Sequence, residues 1–374
     1  MGMSETAGKP VWKSIIILIS TPILALILVP WYGFTVGFTA GDWIFFGVAM
    51  IATGVAITAG YHRLWSHKAY KANFVIRLVL MLLGSATLQN SVIKWASDHR
   101  KHHRFVDDEK KDPYAATRGF WFSHFGWMLR YGPDDVERIE NVDDLYADKL
   151  LAFQHKYYTP LAIFTCFGVP MLIGWAYGSI LGGLLLAGLL RLVLNHHFTF
   201  FINSLAHFVG KRPFSDQNTA RDNALVSLVS YGEGYHNFHH KFAGDYRNGI
   251  HWYDFDPSKW LISFCSQIGW THDLKRTPKQ IIEAAQAKVQ FSTAQEKLGT
   301  HDHLAEWKEK IEVQYHKFTQ SISAWTKAKQ AWLTARKEKL SREHIAELEM
   351  KYKQLKKNFK FEKKAWIRIS AFSH

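Results

Sequence analysis

Cysteine is nearly absent: Cys166 and Cys265 are the only two in 374 residues. So few exclude a disulfide framework, no CxxC pair offers a zinc site, and a reduced compartment fits. Acidic side chains are also in the minority, 32 against 46 Lys and Arg, for a net charge of +14. A basic excess suits nucleic acid or anionic lipid. With 48% of residues hydrophobic, 15 Trp and long uncharged runs, lipid is favoured and nucleic acid is not expected. No small-residue cleavage site follows the apolar run from Ser14 to Val29. That run therefore reads as a retained span rather than a signal peptide, with Pro30-Trp31-Tyr32 as its interfacial anchor.

Four segments approach the roughly 20 apolar residues that a bilayer core requires, over residues 14–30, 43–59, 161–177 and 180–200. Lys9 and Lys13 precede the first, the Trp31–Asp42 connection has neither Lys nor Arg, and Arg63, Lys68 and Lys71 follow the second. Only Gly178-Ser179 joins the third to the fourth. The positive-inside rule then puts both termini and every histidine cluster on the cytoplasmic side. A fifth apolar stretch, Phe74 to Val92, is interrupted by Arg77, Ser85, Thr87, Gln89 and Asn90. Were it to cross, it would separate the histidine clusters, so it reads as an interfacial or partly embedded helix. Arg191, within the fourth span, has to face protein, water or the interface.

The expected class is an all-α integral membrane protein: four transmembrane helices and a cytoplasmic helical cap over residues 1–275, then a basic helical extension over 280–374. In the extension Lys and Arg number 19 against 11 Asp and Glu, and no Gly follows Gly299. Leu304, Trp307, Ile311, Phe318, Ile322 and Trp325 recur at helical spacing. Ile345, Leu348, Tyr352, Leu355 and Phe359 alternate by three and four, the seam of a coiled coil or helical hairpin.

The chemistry lies in the histidines. Asp98-His99-Arg100-Lys101-His102-His103 spaces three imidazoles at i, i+3 and i+4, one face of a helix, and His236, His239 and His240 repeat that spacing. His62 and His67 form an earlier cluster, and His207 stands alone on the same helical face as Asn203. Neutral imidazole is the commonest protein ligand for transition metals. Nine of them exceed the four that zinc normally takes and suit a pair of ions. Soluble di-iron proteins use Glu and Glu-x-x-His instead. An all-histidine set at a membrane surface is their counterpart, able to activate oxygen against an unactivated C–H bond.

HRLWSH (His62–His67), DHRKHHRF (Asp98–Phe105) with Asp112-Pro113, NSLAH (Asn203–His207) and GEGYHNFHH (Gly232–His240) resemble the membrane acyl desaturases, most closely the delta-9 acyl-CoA (stearoyl-CoA type) desaturases in their bacterial form. The likeness covers roughly Trp12 to Thr271, including Asp256-Pro257-Ser258-Lys259-Trp260. It implies a multi-pass protein of the bacterial inner membrane with two iron ions and dioxygen as co-substrate. By position, the iron ligands would be His62, His67, His99, His102, His103, His207, His236, His239 and His240, with Asn203 acting through a water. Trp65, Gln89, Asn90 and Trp95 would line an apolar acyl tunnel, with Met50 at its closed end. Asp98, Asp107, Asp108, Asp112, Asp222 and Glu233 are candidates to hold the outer ring nitrogens, with Glu233 preferred. No general base is expected, because regioselectivity comes from the tunnel. His124, His196 and His197 are read as structural.

Two departures bear on substrate and partner. Ser97 stands where the animal enzymes carry an arginine facing the CoA phosphates, and a basic pair after Gly126-Trp127 is reduced to Arg130. Fatty acyl-CoA is the expected substrate, with acyl-lipid and acyl-carrier protein as alternatives. No haem-binding HPGG module occurs, so electrons would come from a separate ferredoxin-type donor and its reductase. A hydroxylase or alkane monooxygenase on the same fold would carry an NxxEHxxxH motif, which is absent. A non-enzymatic metal-binding protein would carry acidic or histidine ligands in mid-membrane, and the spans show none.

Overall fold

The computed structural model describes residues 9–130, 139–298 and 305–371. The chain divides into two compact units, Met1–Lys211 with Asn218–Arg276, and Arg212–Gln217 with Thr277–His374.

In the first unit four helices are long and apolar enough to cross a membrane: α1 (Trp12–Thr35), α2 (Ala40–Ser66), α5 (Tyr158–Ala176) and α6 (Ile180–Phe208). Between them come α3 (Phe74–Ser85) and α4 (Val92–Phe105). After them come α7 (His236–Lys241) and α8 (Pro257–Gln267). Large apolar side chains such as Leu26, Ile44 and Trp175 stand exposed on the long helices, as lipid contact requires of a multi-pass membrane protein. At one end of the spans a capping box opens α2, Thr39 pairing with Asp42. The buried Asp42 carboxylate also accepts from Tyr177 Oη and Ser179 Oγ at 2.9 and 3.0 Å, which pins the tight α5–α6 turn.

The second span runs seven residues further than its apolar run suggests. From Ala56 to Ser66 its backbone winds as a π-helix, and His67 N–H donates to His62 O at 3.1 Å. An i→i+5 winding aligns residues five apart, so His62 and His67, which an α-helix would splay, share one face. The HxxxxH spacing is the spacing of a π-turn.

The Phe74–Val92 stretch is not one helix. α3 ends after 12 residues, about 18 Å of rise and too short to span. A turn follows with Leu88 and Asn90 at positive φ (53° and 74°), and Ser91 caps α4. The open carbonyl end of α3 is closed from α6: the fully buried Arg191 donates to Ala86 O at 2.7 Å, and His196 Nε2 donates to Thr87 O at 2.7 Å. The intramembrane charge thus lies at a helix C-terminus, where the peptide dipoles favour it. The expected continuous face from Asn203 to His207 is interrupted. Ser204 leaves helical geometry (φ −104°, ψ −79°), and its Oγ turns to Phe200 O.

The second unit comprises α9 (Lys279–Leu298), α10 (Ala305–Lys337) and α11 (Arg342–Ala371). They bury Ala287 and Ala294, then Ile311, Phe318, Ile322 and Trp325, then Phe359 and Trp366. The expected seam from α10 and α11 is present, although Trp307 stays 38% exposed and Leu304 lies outside the described residues. A third helix completes the core, with Phe291 stacked on Tyr315 at 4.1 Å and Trp366 Nε1 donating to Gln290 Oε1.

Candidate metal centre

Three helix ends and one short turn bring the nine histidines of the four motifs together. His62 and His67 come from the π-wound end of α2, His99, His102 and His103 from α4, His207 from the end of α6, and His236, His239 and His240 from α7. They sort into two groups, His62, His67, His99, His103 and His239, and His102, His207, His236 and His240; within each, the ring nitrogens lie within 4.8 Å of one another. The Nε2 atoms point inward: His62 to His239 at 3.0 Å, His67 to His99 at 2.8 Å, His239 to His103 at 2.9 Å, His207 to His236 at 3.1 Å and His236 to His240 at 3.0 Å.

The outer nitrogens decide which tautomers are present. His62 Nδ1 lies 2.9 Å from Glu233 Oε2 and His102 Nδ1 2.9 Å from Asp112 Oδ1. His207 Nδ1 lies 2.7 Å from Thr219 Oγ1, whose own proton goes to Asp107 Oδ1 at 2.7 Å. His99 Nδ1 meets Tyr114 Oη at 3.1 Å. A carboxylate, or a hydroxyl already donating, can only accept, so each of His62, His102 and His207 carries its proton outside and a lone pair inside. Converging lone pairs repel one another unless a cation sits between them. This donor set fits a metal, and imidazole suits iron, zinc, copper and nickel.

Electrostatics agree. Burial, and then the mutual repulsion of neighbouring imidazoles, holds His67, His99, His103, His236, His239 and His240 well below the ordinary imidazole value, so they are neutral donors. Glu233 is fully buried, which by itself would raise its carboxyl, but His62 and Arg63 hold it at about 2. Arg63 donates to Glu233 Oε1 at 2.9 Å, to Asp256 Oδ2 at 3.0 Å and to Tyr246 O at 3.0 Å. One buried cation thereby fastens the end of α2 to the loop before α7 and to the N-cap of α8.

The other expected positions fare unevenly. The Asp98 carboxylate takes the Lys94 ammonium one turn back, at 2.7 Å. The i+4 spacing on α4 puts those two charges on one face, and the candidate Asp112, ten residues beyond His102, holds the His102 ring. Glu233 holds His62 rather than its chain neighbour His236, whose Nδ1 is buried without a hydrogen-bond partner. Asp222 accepts from the backbone N–H groups of Asn237 and Phe238, and Asp108 from those of Lys110 and Lys111. Trp95 stacks on His99 at 4.8 Å, and Trp65 packs edge-on against Tyr61. Gln89 donates to Thr199 Oγ1. The Met50 side chain is half-buried, and its carbonyl accepts from Tyr231 Oη at 3.1 Å. Asn203 ends the regular part of α6. Arg130 is exposed and bridges by backbone to Pro10. Ser97 is buried and exchanges hydrogen bonds with the Glu140 backbone, so it braces a loop.

His124, His196 and His197 lie outside both groups. His124 bridges His197 Nδ1 at 3.1 Å and Ser204 Oγ at 2.9 Å. Tyr114 and Thr219 went unrecognised in the sequence: a tyrosine just after Asp112-Pro113, and a threonine in a loop, carry no spacing signal.

A family model for fatty acid desaturases matches residues 41–273. Acyl-CoA desaturase 1 of Saccharomyces cerevisiae is 45% identical over 233 residues, 62% of this chain and 46% of that protein. Stearoyl-CoA desaturase 5 of Bos taurus is 40% identical over 252 residues, 66% of this chain and 74% of that protein. The Delta(9)-fatty-acid desaturase fat-5 of Caenorhabditis elegans is 36% identical over 295 residues, 77% of this chain and 87% of that protein. The chain thus spans about half the length of the Saccharomyces relative, and 56% of a probable acyl-CoA desaturase of Schizosaccharomyces pombe. These relatives are fungal and animal, so the bacterial form suggested by the motifs draws no support from them.

Proposed function

The chain belongs to the fatty acid desaturase family, and from that premise we propose that it is an oxidoreductase that converts a saturated fatty acyl chain, carried as acyl-CoA, into a cis delta-9 monoene. The observation that carries this reading is the convergence of nine inward ring nitrogens in groups of five and four. His62, His67, His99, His103 and His239 would hold one iron, and His102, His207, His236 and His240 the other, with Asn203 contributing through a water. Two irons held there would supply, with dioxygen, the oxidising power to remove hydrogen from an unactivated C–H bond; a ferredoxin-type donor and its reductase would provide two electrons.

The protein's own part is positional. Glu233, Asp112 and the Thr219–Asp107 pair fix tautomer and ring plane on His62, His102 and His207. Trp95, flat against His99, would hold that ring's plane. Trp65, Gln89 and Asn90 would line the acyl path and Met50 its end, so chain length is set by bulk and no proton-transferring side chain is needed. Acyl-lipid and acyl-carrier protein remain as alternative carriers, because Ser97 braces a loop where the animal enzymes offer an arginine. The Lys and Arg flanking the spans support a cytoplasmic site and termini, in the inner membrane if the host is bacterial.

The test is the fatty-acid profile of a host expressing the chain together with a ferredoxin and reductase, beside a His236→Ala control. A new cis monoene lost in the control is the expected result. A hydroxylated product would move the reading to a hydroxylase on the same fold.

A further inference from the structure

The nine histidines of the metal site all belong to the first unit; in the second, the side of α11 away from its buried seam has an unusual composition. Between Lys351 and Ala371 the helix carries eight Lys and Arg and a single acid, Glu362. Glu362 is turned inward, accepting from Gln314 Nε2 at 2.8 Å. One of the cations, Lys363, is likewise drawn in, to Glu283 at 2.6 Å. The buried seam (Tyr352, Leu355, Phe359, Trp366) fixes the opposite stripe by helical periodicity. That stripe holds Lys357, Phe361, Lys364 and Arg368, flanked by Lys353 and Lys360, all exposed. Phe361 is 69% exposed, and Met350 on the same stripe 66%. Lys353 is paired with Glu349 one turn back, at 2.6 Å; from Lys356 to Arg368 the sequence holds one acid, the inward-turned Glu362.

We propose that this face of α11 docks on an anionic lipid surface. Lysines beside headgroups gain from the negative surface potential within a Debye length. An aromatic ring standing free among them gains by entering the interface, where bare water leaves it unpaid in hydration. A purely electrostatic partner, such as an acidic protein or nucleic acid, would use the cations and leave Phe361 without a purpose. The protein already spans a membrane, so a lipid surface is always at hand. The inference rests on the membrane spans and α11 alone, and stands apart from the proposed chemistry.

The experiment uses full-length protein with an environment-sensitive fluorophore at Gln354→Cys, an exposed position on the stripe; the native Cys166 and Cys265 are both buried. The probe is read in nanodiscs of phosphatidylcholine alone and of phosphatidylcholine mixed with phosphatidylserine. A blue-shifted emission only with phosphatidylserine is expected, reversed by high salt and absent in a Lys357→Glu, Lys360→Glu, Lys364→Glu variant. Equal emission in the two nanodiscs, or a shift that survives charge reversal, would overturn the proposal. So would a shift produced in neutral nanodiscs by polyglutamate or duplex DNA and not by phosphatidylserine, which would assign the face to a macromolecule.

Discussion

At the scale of single residues, the inward lone pairs depend on what stands behind each ring. Replacing Glu233 by Gln keeps its shape but offers His62 an amide in place of a carboxylate that also holds Arg63 and Asn248. Outer partners of this kind are worth about 10–100-fold in metal affinity or activity. We expect Glu233→Gln and Asp112→Asn each to lose iron by that order on dialysis against a graded chelator, and Asp108→Asn to retain it, because Asp108 caps the turn at Lys110 and Lys111. Equal losses in all three would remove the distinction. The imidazoles also make a pH prediction for the metal-free protein. For His67, His99, His103, His236, His239 and His240 the folded pKa lies below that of a free imidazole, about 6.5, so below that pH the unfolded chain binds more protons than the folded one. Stability is therefore full above pH 6.5 and falls as the pH drops, by about 1.4 kcal/mol per unit for each such ring. Thermal unfolding of the apoprotein at pH 7.5 and 5.5 should show the lower midpoint at 5.5, and added metal should narrow the gap; an unchanged midpoint would mean the rings are already protonated when folded.

At the scale of elements, the site hangs on backbone geometry that side-chain periodicity conceals. The HxxHH motifs announce one helical face each, and α4 and α7 supply it. HxxxxH announces nothing on an α-helix; only the π-winding of α2 brings His62 over His67. Tyr61 sits in that winding, fully buried, with its ring against Gly84 of α3; a Cβ on Gly84 would stand 2.3 Å from Tyr61 Cε1. Gly84→Ala should therefore push the π-turn aside, at a cost of about 1–3 kcal/mol and with loss of metal. A Gly47→Ala control, where a Cβ meets nothing within 4 Å, should unfold like the parent. Arg191 makes a second element-scale case. Its charge reads as a liability in the sequence, yet it closes the carbonyl end of α3, so Arg191→Leu should leave buried carbonyls unpaired and lower the unfolding midpoint in detergent. A midpoint equal to the parent's would show that those carbonyls find other donors.

At the scale of the whole molecule, what was legible followed from chemistry that leaves a pattern. Long apolar runs marked the four spans; repeated HxxHH spacing marked six imidazoles, and the resemblance of HRLWSH and NSLAH to the family's motifs marked His62, His67 and His207. The three-four alternation marked the α10–α11 seam. What stayed hidden were partners that share no spacing: Tyr114 and Thr219 behind their rings, Gln290 on Trp366, and α9 as the third wall of the second unit. Each is a contact between segments distant in the chain, set by tertiary packing rather than by local pattern. The number of metal ions per chain, counted in protein purified anaerobically with iron, tests the two-group arrangement most directly. Two ions in the parent and one in a His207→Ala, His236→Ala variant are predicted; a single ion in the parent, or none left in the variant, would contradict two separable sites.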